Sequence, residues 1–100
     1  MSYKCISVDE AEALLKIEGA TLLDIRDPAS FANGSIDNAI NLNNENVEQV
    51  IERADKEKPV IIYCYHGNSS KNAADYFFHQ GFTDSYSVDG GYQQWALTRL

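Results

Sequence analysis

The chain of 100 residues is short of basic residues and of long apolar runs, and each shortage excludes a class of function. Eight Lys and Arg residues stand against 15 Asp and Glu residues, so the formal net charge is −7. Such a surface repels phosphate backbones and anionic lipid headgroups, so we expect neither nucleic acid nor a membrane as a partner. No apolar stretch approaches the length that crosses a bilayer. The polar N-terminus carries no signal-peptide core, so we expect a cytoplasmic location.

Cysteine is also scarce, since the chain contains only Cys5 and Cys64. In a reducing compartment we do not expect these two residues to form a structural disulfide. Together with two widely spaced histidines they give no zinc-binding pattern, so we expect no metal and no other cofactor. The length and the 44% hydrophobic content predict a single domain over residues 1–100 with a compact core.

Short apolar segments alternate with amphipathic segments along the chain. Ser7 and Glu10 form a capping-box pattern at the start of the first predicted helix, and Pro28 suits the first turn of a second, short helix. Asn46 is predicted to cap a third helix, and segment 41–46 to be a surface loop. The alternation predicts an α/β fold, with a mostly parallel five-stranded sheet and helices on both faces. Strands are predicted near the N-terminus and at 21–25, 39–42, 60–63 and 85–88, and later helices at 71–80 and 92–97.

Cys64 lies where a buried strand passes into a helix. It follows the apolar run 60–63 and precedes a short polar loop. The carboxyl end of such a strand, facing a helix N-terminus, is where α/β folds bind ligands and where backbone N–H groups favour an anion. A thiolate is such an anion, so we expect the pKa of Cys64 to fall below its usual value of about 8.5. The sequence thus predicts a reactive sulfur, or an anionic group bonded to it, at Cys64.

The loop after Cys64 is suited to surround a sulfur anion. Gly67 allows the backbone conformation that turns several N–H groups inward, and Ser69 and Ser70 can donate hydroxyl hydrogen bonds or cap the next helix. His66 can hold an anionic donor or face water, and Lys71 can steer an anion or be a solvated residue of the first helical turn. No comparable loop follows Cys5, for which we expect no role in the chemistry.

Charged and aromatic residues elsewhere are expected to support the fold. Asp24, Arg26 and Asp27 are expected to form ion pairs and caps after the second strand. Tyr92 and Trp95 are expected to pack against the sheet. His79 lies late in a helix, where a cation suits the dipole, and we expect a structural role for it.

Three segments in this order resemble the rhodanese family. The cysteine loop is similar to that of the single-domain thiosulfate sulfurtransferases of this family. Ser35 is a departure, because the family often has histidine after the glycine that Gly34 matches. The matching segments are Leu22–Pro28 followed by Phe31 and Gly34, Tyr63–Ser70, and Asp89–Tyr92 with Trp95.

The resemblance implies a rhodanese-like fold and a thiosulfate sulfurtransferase. Such an enzyme would carry sulfane sulfur as a persulfide on Cys64. It implies thiosulfate as donor and cyanide, a small thiol or a thioredoxin-like dithiol protein as acceptor. The residues expected to bind the substrate follow the cysteine directly: Tyr65, His66, Gly67, Asn68, Ser69, Ser70 and Lys71.

Two other functions remain open from the sequence. A cysteine-dependent phosphatase places five residues between Cys and Arg, because a guanidinium fork grips phosphate oxygens. Ser70 occupies that arginine position, and the three arginines of the chain lie outside the loop. A non-catalytic sulfur-carrier or binding rhodanese module is the second alternative, although inactive rhodanese domains commonly lack the loop cysteine.

Overall fold

The computed structural model describes residues 3–100 and contains a five-stranded sheet whose strand order is β1-β5-β4-β2-β3. Every neighbouring pair is parallel, which confirms the predicted sheet. Met1 and Ser2, which the sequence analysis included in the domain, lie outside the described residues. The strands are β1 Lys4–Ile6, β2 Thr21–Asp24, β3 Ile40–Asn41, β4 Val60–Tyr63 and β5 Ser85–Val88. The helices are α1 Val8–Leu15, α2 Pro28–Ala32, α3 Val47–Arg53, α4 Ser69–His79 and α5 Gly91–Leu97.

The central strand β4 divides the core into two layers. Ile61 and Tyr63 belong to the hydrophobic cluster that contains residues of α1 and α5, whereas Val60 and Ile62 belong to the cluster that contains residues of α3 and α4. This alternation follows from the two-residue period of a strand. All four residues of β4 are fully buried, so its carboxyl end emerges between two layers of helices. No helix of residues 3–100 is long and apolar enough to cross a membrane.

Two of the predicted helix caps are present in the structure. The N–H of Glu10 donates to Ser7 Oγ at 3.1 Å, and the N–H of Ser7 donates to Glu10 Oε1 at 3.0 Å, which completes the capping box. The Asp27 carboxylate accepts from the N–H of Ser30 at 3.1 Å and caps α2. Pro28 occupies the first turn, as predicted.

The predicted cap by the Asn46 side chain is wrong. Asn46 Oδ1 accepts from the N–H of Asn43 at 2.8 Å, and its amide donates to the carbonyl of Asn41 at 2.9 Å. The side chain therefore fixes the turn that precedes α3 and makes no bond to the helix N-terminus. A side-chain amide can satisfy either set of backbone groups, and the sequence does not decide between them.

Helix α4 begins at Ser69, two residues before the predicted start at Lys71. Asn68 is the N-cap, and its side chain makes no capping bond. Both serines of the loop therefore belong to the first helical turn, where backbone N–H groups have no partner within the helix. One of these groups, on Ser70, donates to the sulfur of Cys64 instead. The thiol thus takes part of the role of a side-chain cap.

Candidate active site

Cys64 follows β4 directly and faces the first turn of α4. Its backbone is fixed on two sides. The N–H of Ile25 donates to the carbonyl of Tyr63 at 3.0 Å, and the N–H of Tyr92 donates to the carbonyl of Cys64 at 2.8 Å. The residue is 7% exposed, so only a small part of its surface is open to solvent.

The sulfur of Cys64 is surrounded by hydrogen-bond donors from its own loop. The N–H of Gly67 donates to Sγ at 3.1 Å and the N–H of Ser70 donates at 3.4 Å. The neutral thiol donates to the Ser70 hydroxyl oxygen at 3.4 Å, and the same hydroxyl can donate to the thiolate. We call Cys64 Sγ and these three groups the sulfur site. Donors that converge on one atom in this way form an anion-binding nest.

The electrostatics of the sulfur site favour the thiolate. Burial acts to raise the pKa of Cys64. Hydrogen bonds from the Ser70 hydroxyl and from the backbone N–H groups of Ser70, Gly67 and Ser69 act in the opposite direction, and the pKa lies below its usual value. A hydrogen bond to the charged form stabilises that form. The direction of the shift agrees with the expectation from the sequence.

Gly67 has a φ of +97°, a conformation that side chains disfavour. A Cβ on this residue would lie 2.9 Å from the nitrogen of Gly90 and 3.1 Å from the carbonyl oxygen of Val88. Both neighbours are backbone atoms that cannot rotate away. The loop can therefore turn its N–H toward the sulfur only because residue 67 is glycine.

Gly91 permits the close approach of α5 to the same loop. Its φ is +56°, and a Cβ there would collide with the carbonyl oxygens of Cys64 and Tyr65. Residues 89 and 90 form a turn that leads into Gly91, the first residue of α5. The structure places this turn directly against the backbone of the cysteine loop.

The other residues that were predicted to bind the substrate form a rim around the sulfur site. Tyr65 is 49% exposed, and its ring packs edge-on against the ring of His66 at a centroid distance of 4.5 Å. His66 Nδ1 lies 2.8 Å from Gln93 Oε1 at the start of α5. Asn68 and Ser69 are exposed, and Lys71 is half-buried. Among the contacts of residues 3–100, none joins His66 or Lys71 to the sulfur of Cys64.

Two residues at this site were missed by the sequence analysis. Ser87 on β5 lies behind Ser70, with 2.7 Å between the two hydroxyl oxygens, and Gln93 holds His66. The spacing of Ser85 and Ser87 is a signal for the first of these, because residues two apart in a strand share one face. A buried strand with two serines on one face predicts hydroxyl groups that bond to the packed helix.

The ion pair between Asp24 and Arg26 supports the site from the side. Arg26 Nε and Nη2 donate to Asp24 Oδ2 at 3.0 and 2.7 Å, and Nη2 also donates to the carbonyl of Gly34 at 2.6 Å. The guanidinium lies 4.0 Å from the centre of the Tyr92 ring. The Asp24 side chain is 0% exposed and that of Arg26 is 6% exposed. The expected ion pair is therefore present, and it is buried.

The aromatic residues beside this pair also pack as predicted. Tyr92 and Trp95 are partly buried against the hydrophobic cluster on the side of α1 and α5. Tyr63 accepts a hydrogen bond from the N–H of Ile36 at 3.1 Å. Its burial, followed by its hydrogen bond with Asp24, raises the pKa of the Tyr63 phenol. Tyr63 therefore remains neutral and structural at physiological pH.

Comparison with known proteins agrees with this architecture. Residues 7–98 match the rhodanese-like domain family. A thiosulfate sulfurtransferase GlpE of Shewanella oneidensis is 48% identical over 94% of this chain and 93% of its own length. A protein of the same description from Pseudomonas putida is 49% identical over 96% of this chain and 87% of its own length. The chain therefore belongs to the rhodanese family.

The solved structures lead to the same fold. A rhodanese-related protein of Thermoplasma volcanium superposes with a TM-score of 0.78 at 28% identity, over 96% of this chain and 93% of that one.

Within residues 3–100, no group of three or more His, Cys, Asp and Glu side chains is placed to hold a metal ion.

Proposed function

We propose that the protein is a thiosulfate sulfurtransferase that carries sulfane sulfur as a persulfide on Cys64. The observation that supports this most directly is the sulfur site, in which two backbone N–H groups at 3.1 and 3.4 Å converge on one thiol of lowered pKa. Relatives about as long as this chain, 48% and 49% identical to it, carry this activity in their names.

The proposed reaction has two displacement steps. The Cys64 thiolate attacks the outer sulfur of thiosulfate, the S–S bond of thiosulfate breaks, and sulfite leaves with the electron pair of that bond. This step leaves a persulfide anion on Cys64 and conserves both charge and atoms. Cyanide or a thiolate then attacks the terminal sulfur, forms thiocyanate or a new persulfide, and releases the Cys64 thiolate. Neither step requires a metal or a redox cofactor, because each is a nucleophilic displacement that passes the sulfane sulfur on without net oxidation or reduction.

The loop residues have two proposed roles in binding. The N–H groups of Gly67 and Ser70 stabilise the thiolate and its persulfide, because donors fixed in place need no reorganisation during reaction. Exposed Tyr65, His66, Asn68 and Ser69, with half-buried Lys71, form the rim that receives thiosulfate. Lys71 offers the positive charge that an anionic donor needs on a protein of net charge −7.

The acceptor must reach a sulfur that is only 7% exposed as part of Cys64. An acceptor with a small or protruding nucleophilic atom meets this requirement, such as cyanide, a small thiol or the thiol of a thioredoxin-like dithiol protein. Both cysteines are free thiols, and a reactive thiol of this kind is best preserved in a reducing compartment such as the cytoplasm.

A phosphatase activity has less support. Ser70, which stands at the arginine position of a cysteine-dependent phosphatase, is fully buried and bonded to the sulfur. Arg26 is committed to Asp24, Arg53 lies on α3, and Arg99 pairs with Glu12. A phosphoryl group needs donors for three equatorial oxygens, and the sulfur site aims its donors at one atom.

The proposal is tested by offering the purified protein thiosulfate with cyanide and, in a separate assay, an aryl phosphate. We expect sulfite and thiocyanate to form in equal amounts at a rate proportional to protein concentration. We expect aryl phosphate hydrolysis no faster than in buffer. Phosphate release that depends on Cys64, or no sulfite release above the uncatalysed rate, would overturn the assignment.

A further inference from the structure

The hydroxyl of Ser87 completes a hydrogen-bonded chain that ends at the reactive sulfur. We propose that Ser87 is a positioning residue that aims the Ser70 hydroxyl hydrogen at Cys64 Sγ; this rests on the proposed role of Cys64. The Ser87 and Ser70 hydroxyl oxygens are 2.7 Å apart, and Ser70 Oγ is 3.4 Å from Sγ. The order Ser87, Ser70, Cys64 therefore connects β5 to the sulfur through the first turn of α4.

Both serines are shielded from solvent and rigidly held. Each is 0% exposed. Ser87 lies within β5, in register with Ile62 of β4 on one side and Cys5 of β1 on the other. Water cannot substitute freely for either hydroxyl, so each buried hydroxyl must find its partners within the protein.

The direction of donation along these hydrogen-bonded hydroxyls follows from counting donors and acceptors. Each hydroxyl has one hydrogen and can accept at its lone pairs. If Ser87 donates to Ser70, the Ser70 hydrogen is left to point at the sulfur. If Ser70 donates to Ser87 instead, the sulfur loses that donor. The Ser87 hydrogen is then left without an acceptor, since the described residues give its hydroxyl no partner other than Ser70.

Donation from Ser87 to Ser70 strengthens the hydrogen bond from the Ser70 hydroxyl to the Cys64 thiolate. A hydroxyl that accepts a hydrogen bond becomes a better donor, and a hydrogen bond to an anion is about twice as strong as one between neutral groups. Ser70 Oγ also accepts the S–H of the neutral thiol, and without the Ser87 hydroxyl both of its lone pairs would be open to that bond, which favours the neutral form. Ser87 therefore favours the thiolate without touching it.

Other charges around the loop do not supply this effect. The leading influences on the pKa of Cys64 are burial and hydrogen bonds within the loop. Ser87 itself is uncharged at every pH used below. Titratable or charged groups on the loop and on the elements around it include Cys5, Tyr63, Tyr65, His66, Lys71, Asp75, Asp89, Tyr92 and the Asp24–Arg26 pair, and none of them is among the leading influences on the pKa of Cys64.

Ser85 provides a matched control on the same strand. It lies two residues from Ser87, is 2% exposed, and its hydroxyl donates to the carbonyl of Ala74 on α4 at 2.7 Å. Ser85→Ala therefore removes an equally buried hydroxyl that bonds to the same helix. The difference is that the partner of Ser85 has no contact with the sulfur of Cys64.

The experiment follows the rate of iodoacetamide alkylation against pH in a Cys5→Ser background, so that only Cys64 reacts. We expect Ser87→Ala to raise the midpoint by about 0.5 pH unit. We expect Ser85→Ala to leave the midpoint unchanged. Ser87→Thr retains the hydroxyl and should keep the wild-type midpoint. Thermal unfolding of each variant separates a local effect from a loss of structure.

A double-mutant cycle makes the test independent of any general loosening. If Ser87 acts through Ser70, Ser87→Ala should not shift the midpoint further in a Ser70→Ala background. An equal shift in both backgrounds, or equal shifts for Ser87→Ala and Ser85→Ala, would overturn the inference. Alkylation does not require sulfur transfer, so a shift without sulfite release by the wild type would refute the proposed function and leave the role of Ser87 intact.

Discussion

Cys64→Ser is expected to reduce sulfite release from thiosulfate by about 10³-fold or more, with the fold retained. A serine hydroxyl remains protonated at neutral pH and cannot form a persulfide. It is close to the size of the thiol and can accept the same hydrogen bonds from Gly67 and Ser70. The comparison uses initial rates at saturating thiosulfate and cyanide, with thermal unfolding as the check on structure.

Cys5→Ser is the matched control for this prediction. Cys5 is the other free cysteine, and it is exposed on β1, with no glycine loop behind it. We expect this variant to keep the wild-type rate. If Cys64→Ser retained the wild-type rate, or if Cys5→Ser lost it, the sulfur site would not be the place where the chemistry occurs.

Arg26→Ala is expected to lower the free energy of unfolding by about 3–5 kcal/mol. The substitution removes the guanidinium and leaves the fully buried Asp24 carboxylate without its ion-pair partner. It also removes the donor to the carbonyl of Gly34 and the contact with the Tyr92 ring. Because a domain of this size has a total stability of about 5–15 kcal/mol, urea unfolding should show a large decrease in midpoint.

Two further variants identify the cause of that loss. Arg99→Ala breaks a pair with Glu12 in which both side chains are more than one-third exposed, at 43% and 39%, and a contact with the Trp95 ring at 3.6 Å, so we expect a cost of about 1–2 kcal/mol. Asp24→Asn combined with Arg26→Ala removes the unpaired buried charge, and we expect it to recover part of the stability. A cost for Arg26→Ala no greater than that for Arg99→Ala would show that the buried pair does not hold this turn.

The sequence predicted the part of the site that is local in the chain. A buried strand, a cysteine, a glycine loop and an amphipathic helix follow one another within about twenty residues, and each has its own periodicity or turn signal. The inward N–H groups, the lowered pKa of Cys64 and the role of Gly67 all follow from this order. The parallel sheet was likewise predictable, because strands that alternate with helices are joined by crossovers.

The parts that the sequence did not reveal depend on residues far apart in the chain. Ser87 meets Ser70 only because β5 lies beside β4, and Gln93 meets His66 only because α5 begins against the loop. No local pattern states that strand order. The early start of α4 has a different, local cause, because the sulfur of Cys64 satisfies an N–H of the first turn that a side-chain cap otherwise satisfies.

The most direct test of the account is the location of the transferred sulfur. The protein is incubated with excess thiosulfate and no acceptor, and its intact mass is measured before and after treatment with a reductant or cyanide. We expect the mass to increase by one sulfur atom, the increase to be lost on treatment, and peptide mapping to place the added sulfur on Cys64. No added sulfur, or sulfur on Cys5, would contradict the account.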